Sequence, residues 1–204
     1  MCNSYRIQPK RGADKGVAKR IADAAERLKS DLVRKSDPGV VMRADVRVEV
    51  MRWGFHRSFN PSINNARADK LESGMWAEAF HERRCVIPMT LFYEWGPALG
   101  GRGGRKQAYK FHEPEDDYLW VAGIWEESPD AGPCYSMVTT ASSPLMSPIH
   151  DRMPALLRPE EMAEWLAGSG HWTFHPFEGP LVLTPCVSPL AMPHDARPQQ
   201  AELF

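Results

Sequence analysis

The sequence predicts an α+β fold: a single strand-rich, barrel-like mixed core flanked by about three helices. Three observations carry this expectation. About six runs of β-branched and aromatic residues read as strands, three amphipathic stretches follow a helical period, and the two kinds do not alternate as a doubly wound sheet requires. Eighteen Pro and fifteen Gly among 204 residues cut the chain into short elements. The 43% hydrophobic content supplies a core for one domain, taken as residues 1–204, because no repeat or long linker divides the chain.

The elements follow in order. Val17, Ile21, Ala24, Leu28 and Leu32 recur at helical spacing, which predicts a helix over 13–36 that Asp37-Pro38-Gly39 ends. Val46, Val48 and Val50 alternate with charged residues in a strand over 45–55 that runs into Trp53-Gly54-Phe55. Residues 58–66, rich in Pro, Asn and Ser, read as a loop, and 68–82 as a helix burying Leu71, Met75, Trp76, Ala79 and Phe80. A strand region spans 84–95, a Gly/Arg hairpin loop 99–106, and further strands 109–112, 118–125 and 135–140. Pro159 suits the first turn of a helix reaching about Leu166, with Glu160 and Glu161 at its positive end, and 181–187 is a last strand.

Composition excludes several classes. No apolar run approaches the ~20 residues of a membrane helix, and the N-terminus turns polar at once, unlike a signal peptide. The expectation is a cytoplasmic protein with no membrane partner. The formal net charge of -1 hides an asymmetry: residues 1–60 hold 14 Lys/Arg against 7 Asp/Glu, whereas 111–204 hold 3 against 14. A basic first half can present one face to a polyanion, although a solvated surface of uneven sign explains charge alone equally well. Cys2, Cys85, Cys134 and Cys186 form no Cys-x-x-Cys pair and have no zinc-ligand spacing, so neither metal nor cofactor is expected, and the last three read as buried small hydrophobes. Cys2 differs. Once Met1 is removed, it carries an α-amine and a thiol on adjacent carbons.

Four segments hold polar residues that packing explains poorly: Cys2; Asn64-Asn65-Ala66-Arg67; Phe92-Tyr93-Glu94-Trp95; and His150-Asp151-Arg152-Met153-Pro154. Singly, each has a plain competitor. Asn65 can cap a helix, Glu94 can sit on the exposed phase of an edge strand, and His150-Asp151 can be a surface loop. Together, and with Met1-Cys2-Asn3, Trp53-Gly54-Phe55, Arg84-Cys85-Val86-Ile87-Pro88 and Thr139-Thr140-Ala141, they resemble the SOS-response-associated peptidase (SRAP) family over most of the chain.

That resemblance implies covalent capture of abasic sites in single-stranded DNA, through a thiazolidine linkage to Cys2 after loss of Met1. The family roles fall on Cys2 as nucleophile, Asn65 as holder of the opened deoxyribose, and Glu94 and His150 as the acid/base pair. Arg67 would contact phosphate and Trp53 would shape the DNA path, with Arg6 and Arg84 as further DNA-binding cations. The partner is abasic single-stranded DNA, and the protein is expected to act as a monomer. The chain departs from the family where Cys2 is followed by Asn3-Ser4-Tyr5 rather than Gly-Arg-Phe, with Arg6 the nearest replacement for the missing Arg, and where the Tyr-Asn-x-x-Pro segment is absent. Two other readings use the same residues: a thiol (auto)peptidase with Cys2, His150 and Glu94 or Asp151, and a non-covalent single-stranded DNA-binding module.

Overall fold

A computed structural model describes residues 2–10, 13–98, 104, 106–115, 117–168 and 171–191. Its strands in chain order are β1 (Ser4–Arg6), β2 (Leu32–Arg34), β3 (Pro38–Arg43), β4 (Val48–Trp53), β5 (Phe55–Arg57), β6 (Asn60–Ile63), β7 (Asn65–Arg67), β8 (Arg84–Met89), β9 (Leu91–Ala98), β10 (Lys106–His112), β11 (Leu119–Ser128), β12 (Gly132–Ala141), β13 (Arg152–Pro154), β14 (Leu156–Leu157) and β15 (Val182–Cys186). The helices are α1 (Gly16–Glu26), α2 (Ala77–Glu82) and α3 (Met162–Ala167).

Strands β12, β4, β3, β8 and β11 pair in that order, and β11 returns to β12, so five strands close into a barrel. Closure removes the free edges that an open sheet exposes. A second, antiparallel sheet runs β15-β10-β9-β1-β2. Tyr5, Phe92 and Phe111 from this sheet share one apolar cluster with Val40, Met51, Ile87, Val121 and Met137 from the barrel, so the two pack together. A second cluster puts Phe80 and Trp165, from α2 and α3, on Val86, Ala122 and Val138. Alternate residues of β8 serve the two clusters, which is why Arg84–Met89 is buried throughout and reads as an unbroken apolar run.

The α+β class, the barrel-like core and the three helices match the expectation, while several boundaries differ. The helix over 13–36 stops at Glu26, because Leu28 and Leu32 reach the core from separate elements. Ser30 Oγ accepts the Leu32 N–H at 3.1 Å, and β2 then pairs with β1. The helix over 68–82 is two 3-10 turns followed by α2, broken at Gly74, whose φ of 58° is left-handed. The region 84–95 divides at Thr90, whose N–H and hydroxyl both donate to the Arg6 carbonyl, and β8 and β9 enter different sheets. The loop over 58–66 contains β6 and β7, and β7 lies parallel to β12. Of the loop expected over 99–106, only residues 104 and 106 fall among those described. Cys85 and Cys134 are buried as expected, but Cys186 is only partly so.

The barrel meets the flanking sheet at two phenols. Tyr5 and Tyr135 hydroxyls lie 2.5 Å apart in the core. Residue 39 must be glycine, since a Cβ there would stand 2.1 Å from the Tyr135 hydroxyl oxygen and 2.3 Å from that of Tyr5. Burial raises both phenols above their ordinary value of 10.0, and raises the Cys2 thiol from 9.0 to about 12. Cys85 is raised by burial as well. The folded chain therefore keeps protons that the unfolded chain gives up above pH 9, so stability falls as pH rises through that point. Each group contributes a slope of up to about 1.4 kcal/mol per pH unit. Urea midpoints should decline from pH 8 to pH 10.5, and a level profile across that range would contradict this account of the core.

Candidate active site and nucleic-acid interface

The amino-terminal segment is fixed by side chains from across the barrel. Asn65 Nδ2 donates to the Cys2 carbonyl at 2.9 Å, and Asn64 Nδ2 reaches the same carbonyl at 3.4 Å and Asn3 Oδ1 at 3.4 Å. The two asparagines are themselves held. The Trp53 indole N–H donates to the Asn64 carbonyl at 2.8 Å, the Met137 N–H donates to it at 3.0 Å, and β7 then pairs Asn65 with Met137. Asn65 thus belongs to a strand and caps no helix. Its Oδ1 is buried and has no hydrogen-bond partner among the described residues.

Cys2 is 1% exposed, and its thiol makes a weak bond to the Ser4 carbonyl at 3.4 Å. Burial does most to raise this thiol to about 12, and the Glu94 carboxylate adds to it. Sulfur and carboxylate are therefore close enough to interact, and the thiol is neutral at physiological pH. Glu94 is 3% exposed on β9, an interior strand paired with β1 and β10, which rules out the exposed phase of an edge strand. One of its oxygens accepts the Trp95 N–H at 3.3 Å.

The remaining polar residues line up beside β7. Thr139 of β12 pairs with Arg67 on one side and with Pro154 of β13 on the other. The loop before β13 carries His150, whose Nδ1 accepts the Arg152 N–H at 3.0 Å and lies 2.8 Å from the Asp151 carboxylate. Arg152 anchors the loop by donating to the Thr139 hydroxyl at 3.1 Å and to the Thr139 carbonyl. Arg67 points outward and grips Asp69 with two bonds, at 3.0 and 2.7 Å.

Three expected DNA contacts have other surroundings. Trp53 is 0% exposed, wedged edge-on against Tyr5 at 5.1 Å and stacked with Tyr135 at 6.4 Å, so no base can reach its ring. Its work is to hold Asn64. Arg84 is buried, with its guanidinium over the Phe80 ring at 4.3 Å and the Trp165 ring at 4.6 Å, and it donates to the Phe80 carbonyl at 2.8 Å. It braces α2 and α3 against β8. Arg6 is paired with Asp31 and donates to the Tyr93 hydroxyl at 2.8 Å. The aromatic that does face solvent is Phe59, 77% exposed at the tip of the β5–β6 hairpin leading into Asn64 and Asn65. Its signal in the sequence is an aromatic set among turn residues, between Arg57-Ser58 and Asn60-Pro61.

These features define a barrel-and-sheet protein with a buried cysteine near its amino terminus, clamped by asparagines and acted on by a buried carboxylate, with an outward arginine on the strand that carries Asn65. The profile of the SOS response associated peptidase (SRAP) family matches residues 1–186, and the chain belongs to that family. Among curated proteins it is 31% identical over 131 residues to the abasic site processing protein YoqW of Bacillus subtilis, covering 59% of this chain and 57% of that one. It is 33% identical over 150 residues to the abasic site processing protein HMCES of Xenopus tropicalis, covering 57% of this chain and 44% of the relative. The match thus spans about half the length of these relatives. A crystal structure of a Bacteroides thetaiotaomicron protein shares the fold at a TM-score of 0.73 and 22% identity, covering 90% of this chain and 91% of its own. A phage-related protein from Bordetella bronchiseptica does so at 0.69 and 20%, covering 92% of this chain and 95% of its own.

The Glu94 charge beside the sulfur has a measurable effect. In Glu94→Gln, loss of the negative charge lowers the Cys2 thiol pKa, so alkylation of Cys2 at pH 9 should be several-fold faster than in the wild type. Peptide mass mapping separates Cys2 from the partly exposed Cys186. An unchanged Cys2 rate would mean that the carboxylate does not act on the sulfur.

Proposed function

We propose that this chain captures abasic sites in single-stranded DNA by closing a thiazolidine between the amine and thiol of Cys2, once Met1 is gone, and the sugar aldehyde. The observation that carries the reading is the buried Cys2 thiol, within electrostatic reach of the Glu94 carboxylate and with its carbonyl tied to Asn65, in a chain whose curated relatives are named abasic site processing proteins.

The neutral thiol suits an order of events in which the amine acts first. An α-amine titrates near ~7.7–8.0, so part of it is neutral at physiological pH. As the sugar ring opens, His150 passes a proton to the ring oxygen while the C1′ hydroxyl gives one up, which unmasks the C1′ aldehyde. The amine then attacks C1′, and the adduct's hydroxyl takes a proton from solvent and leaves as water, so that an iminium remains. The thiol adds to the same carbon and passes its proton to Glu94, which closes a five-membered ring and leaves a neutral ring nitrogen. Both nucleophilic atoms come from one residue already held by the asparagine clamp, so closure needs little further ordering. The buried Asn65 Oδ1 is a ready acceptor for a hydroxyl of the opened sugar. Arg67 takes a flanking phosphate, and Phe59 offers a face for a neighbouring base. A hydrolase would need a resting thiolate, which burial and the Glu94 charge both oppose.

Denaturing gels of the protein with abasic single-stranded DNA test the reading, with intact mass reporting the state of the terminus. Cys2→Ala should give no covalent band, and a persistent band of the same mobility would sink the assignment. Glu94→Gln should slow adduct formation by ~10²–10⁴-fold while leaving affinity for undamaged strands within about threefold. Equal losses in both would make Glu94 a structural residue.

A further inference from the structure

We propose that Asp69 occupies the seat of a DNA phosphate on Arg67 in the free protein, and that the incoming strand must displace it. The inference rests on the reading of this face as a single-stranded DNA surface. It deepens that reading by naming what sets affinity there.

The argument begins with the shape of the contact. Nε and Nη2 of Arg67 meet the two oxygens of Asp69 at 3.0 and 2.7 Å, the same fork-on-fork geometry by which a guanidinium takes two phosphate oxygens. A second guanidinium stands nearby, with Arg152 Nη1 3.8 Å from Asp69 Oδ1, and the positive charges of Arg67 and Arg152 act on each other. One small anion thus sits between two cations, one of them on the strand that also carries Asn65. The Arg67 and Asp69 side chains are 53% and 51% exposed, so the pair is open to a competing anion.

The local fold explains why the carboxylate is there. β7 ends at Arg67, and the 3-10 turn Ala68–Lys70 curls Asp69 back alongside it. The Arg67 hydrogen bonds hold the Asp69 carboxyl down at about 2, so it stays anionic throughout the working pH range and does not release the arginine by protonation. Exchange with a phosphate is the route left. Exposed pairs of this kind contribute little net stability, so a phosphate strand can replace Asp69 at modest cost.

Salt dependence distinguishes this arrangement from a simple phosphate contact. When phosphate takes Arg67 from Asp69, the strand releases counterion, but salt also weakens the Arg67–Asp69 pair that has to be broken, which offsets part of the loss. Removing the carboxylate charge takes away that offset and steepens the slope of log affinity against log salt, by at most the ~0.7 of a single-strand phosphate contact.

Anisotropy titrations of a labelled, undamaged oligodeoxynucleotide across a KCl series test the idea, using the wild type, Asp69→Asn, Arg67→Ala and the double variant. Asp69→Asn should bind roughly three- to tenfold tighter at low salt. Its salt slope should be steeper, by at most about 0.7, and both changes should vanish in the Arg67→Ala background. Unchanged or weaker binding by Asp69→Asn would overturn the proposal and make Asp69 a guide that aims Arg67. Adduct formation on abasic DNA, measured in parallel, separates the two failures. A wild type that crosslinks beside an Asp69→Asn that binds no better loses only the displacement. A wild type that neither binds nor crosslinks removes the functional reading and this inference with it.

Discussion

Chain termini ordinarily fray, because ordering a residue's backbone costs about 1–2 kcal/mol and an end residue has few neighbours to offset it. The first residues of this protein are held instead by a relay of hydrogen bonds. The Trp53 indole fixes the Asn64 carbonyl, β12 fixes Asn65, and Asn65 fixes the Cys2 carbonyl. Each link is buried or partly buried, where an unmet polar group costs more than the bond itself returns. The clamp explains how a fully buried tryptophan and two adjacent asparagines fix the position of a cysteine far away in the chain. It also explains the close packing behind it, where Tyr5 and Tyr135 leave room for no side chain at Gly39.

The electrostatics follow from that fixed position. Packing the terminus into the core places a thiol beside a carboxylate in a poorly solvated site, and a second negative charge there is costly. The sulfur is left protonated at physiological pH. The charged groups that face solvent lie one strand away, beside Thr139, so the buried thiol and the exposed arginine are separate but both are tied to β7. Two residues of one short strand, Asn65 and Arg67, thereby serve both.

Much of this was legible in the sequence. Pro159 at the first turn before α3 and the apolar runs of β8, β11 and β12 are local signals, and the structure follows them. Cys2, Asn65 and Glu94 converge, and His150 stands on the neighbouring loop. The misreadings have physical causes. β7 is defined by a parallel partner far along the chain, and nothing nearby announces it. Trp53 and Phe59 are both aromatics near one hairpin, and only the phase of β4, with Met51 and Trp53 inward, decides which of them solvent reaches. Arg84 opens an apolar strand, and its burial between two rings depends on helices that arrive from either side of it. The pairing of Arg67 with Asp69 depends on a 3-10 turn that a periodic pattern does not resolve.

The pairing of β1 with β9 also has a temporal side. During synthesis β1 can meet β2 early, but its second partner, Leu91–Ala98, leaves the ribosome only later. At roughly 5–20 residues per second, that is an interval of several seconds. For that time β1 has one sheet neighbour rather than two, and only the arrival of β9 completes the burial of Tyr5 against Phe92. The amino-terminal segment is thus among the last parts of the flanking sheet to be locked, although it is the first to be made.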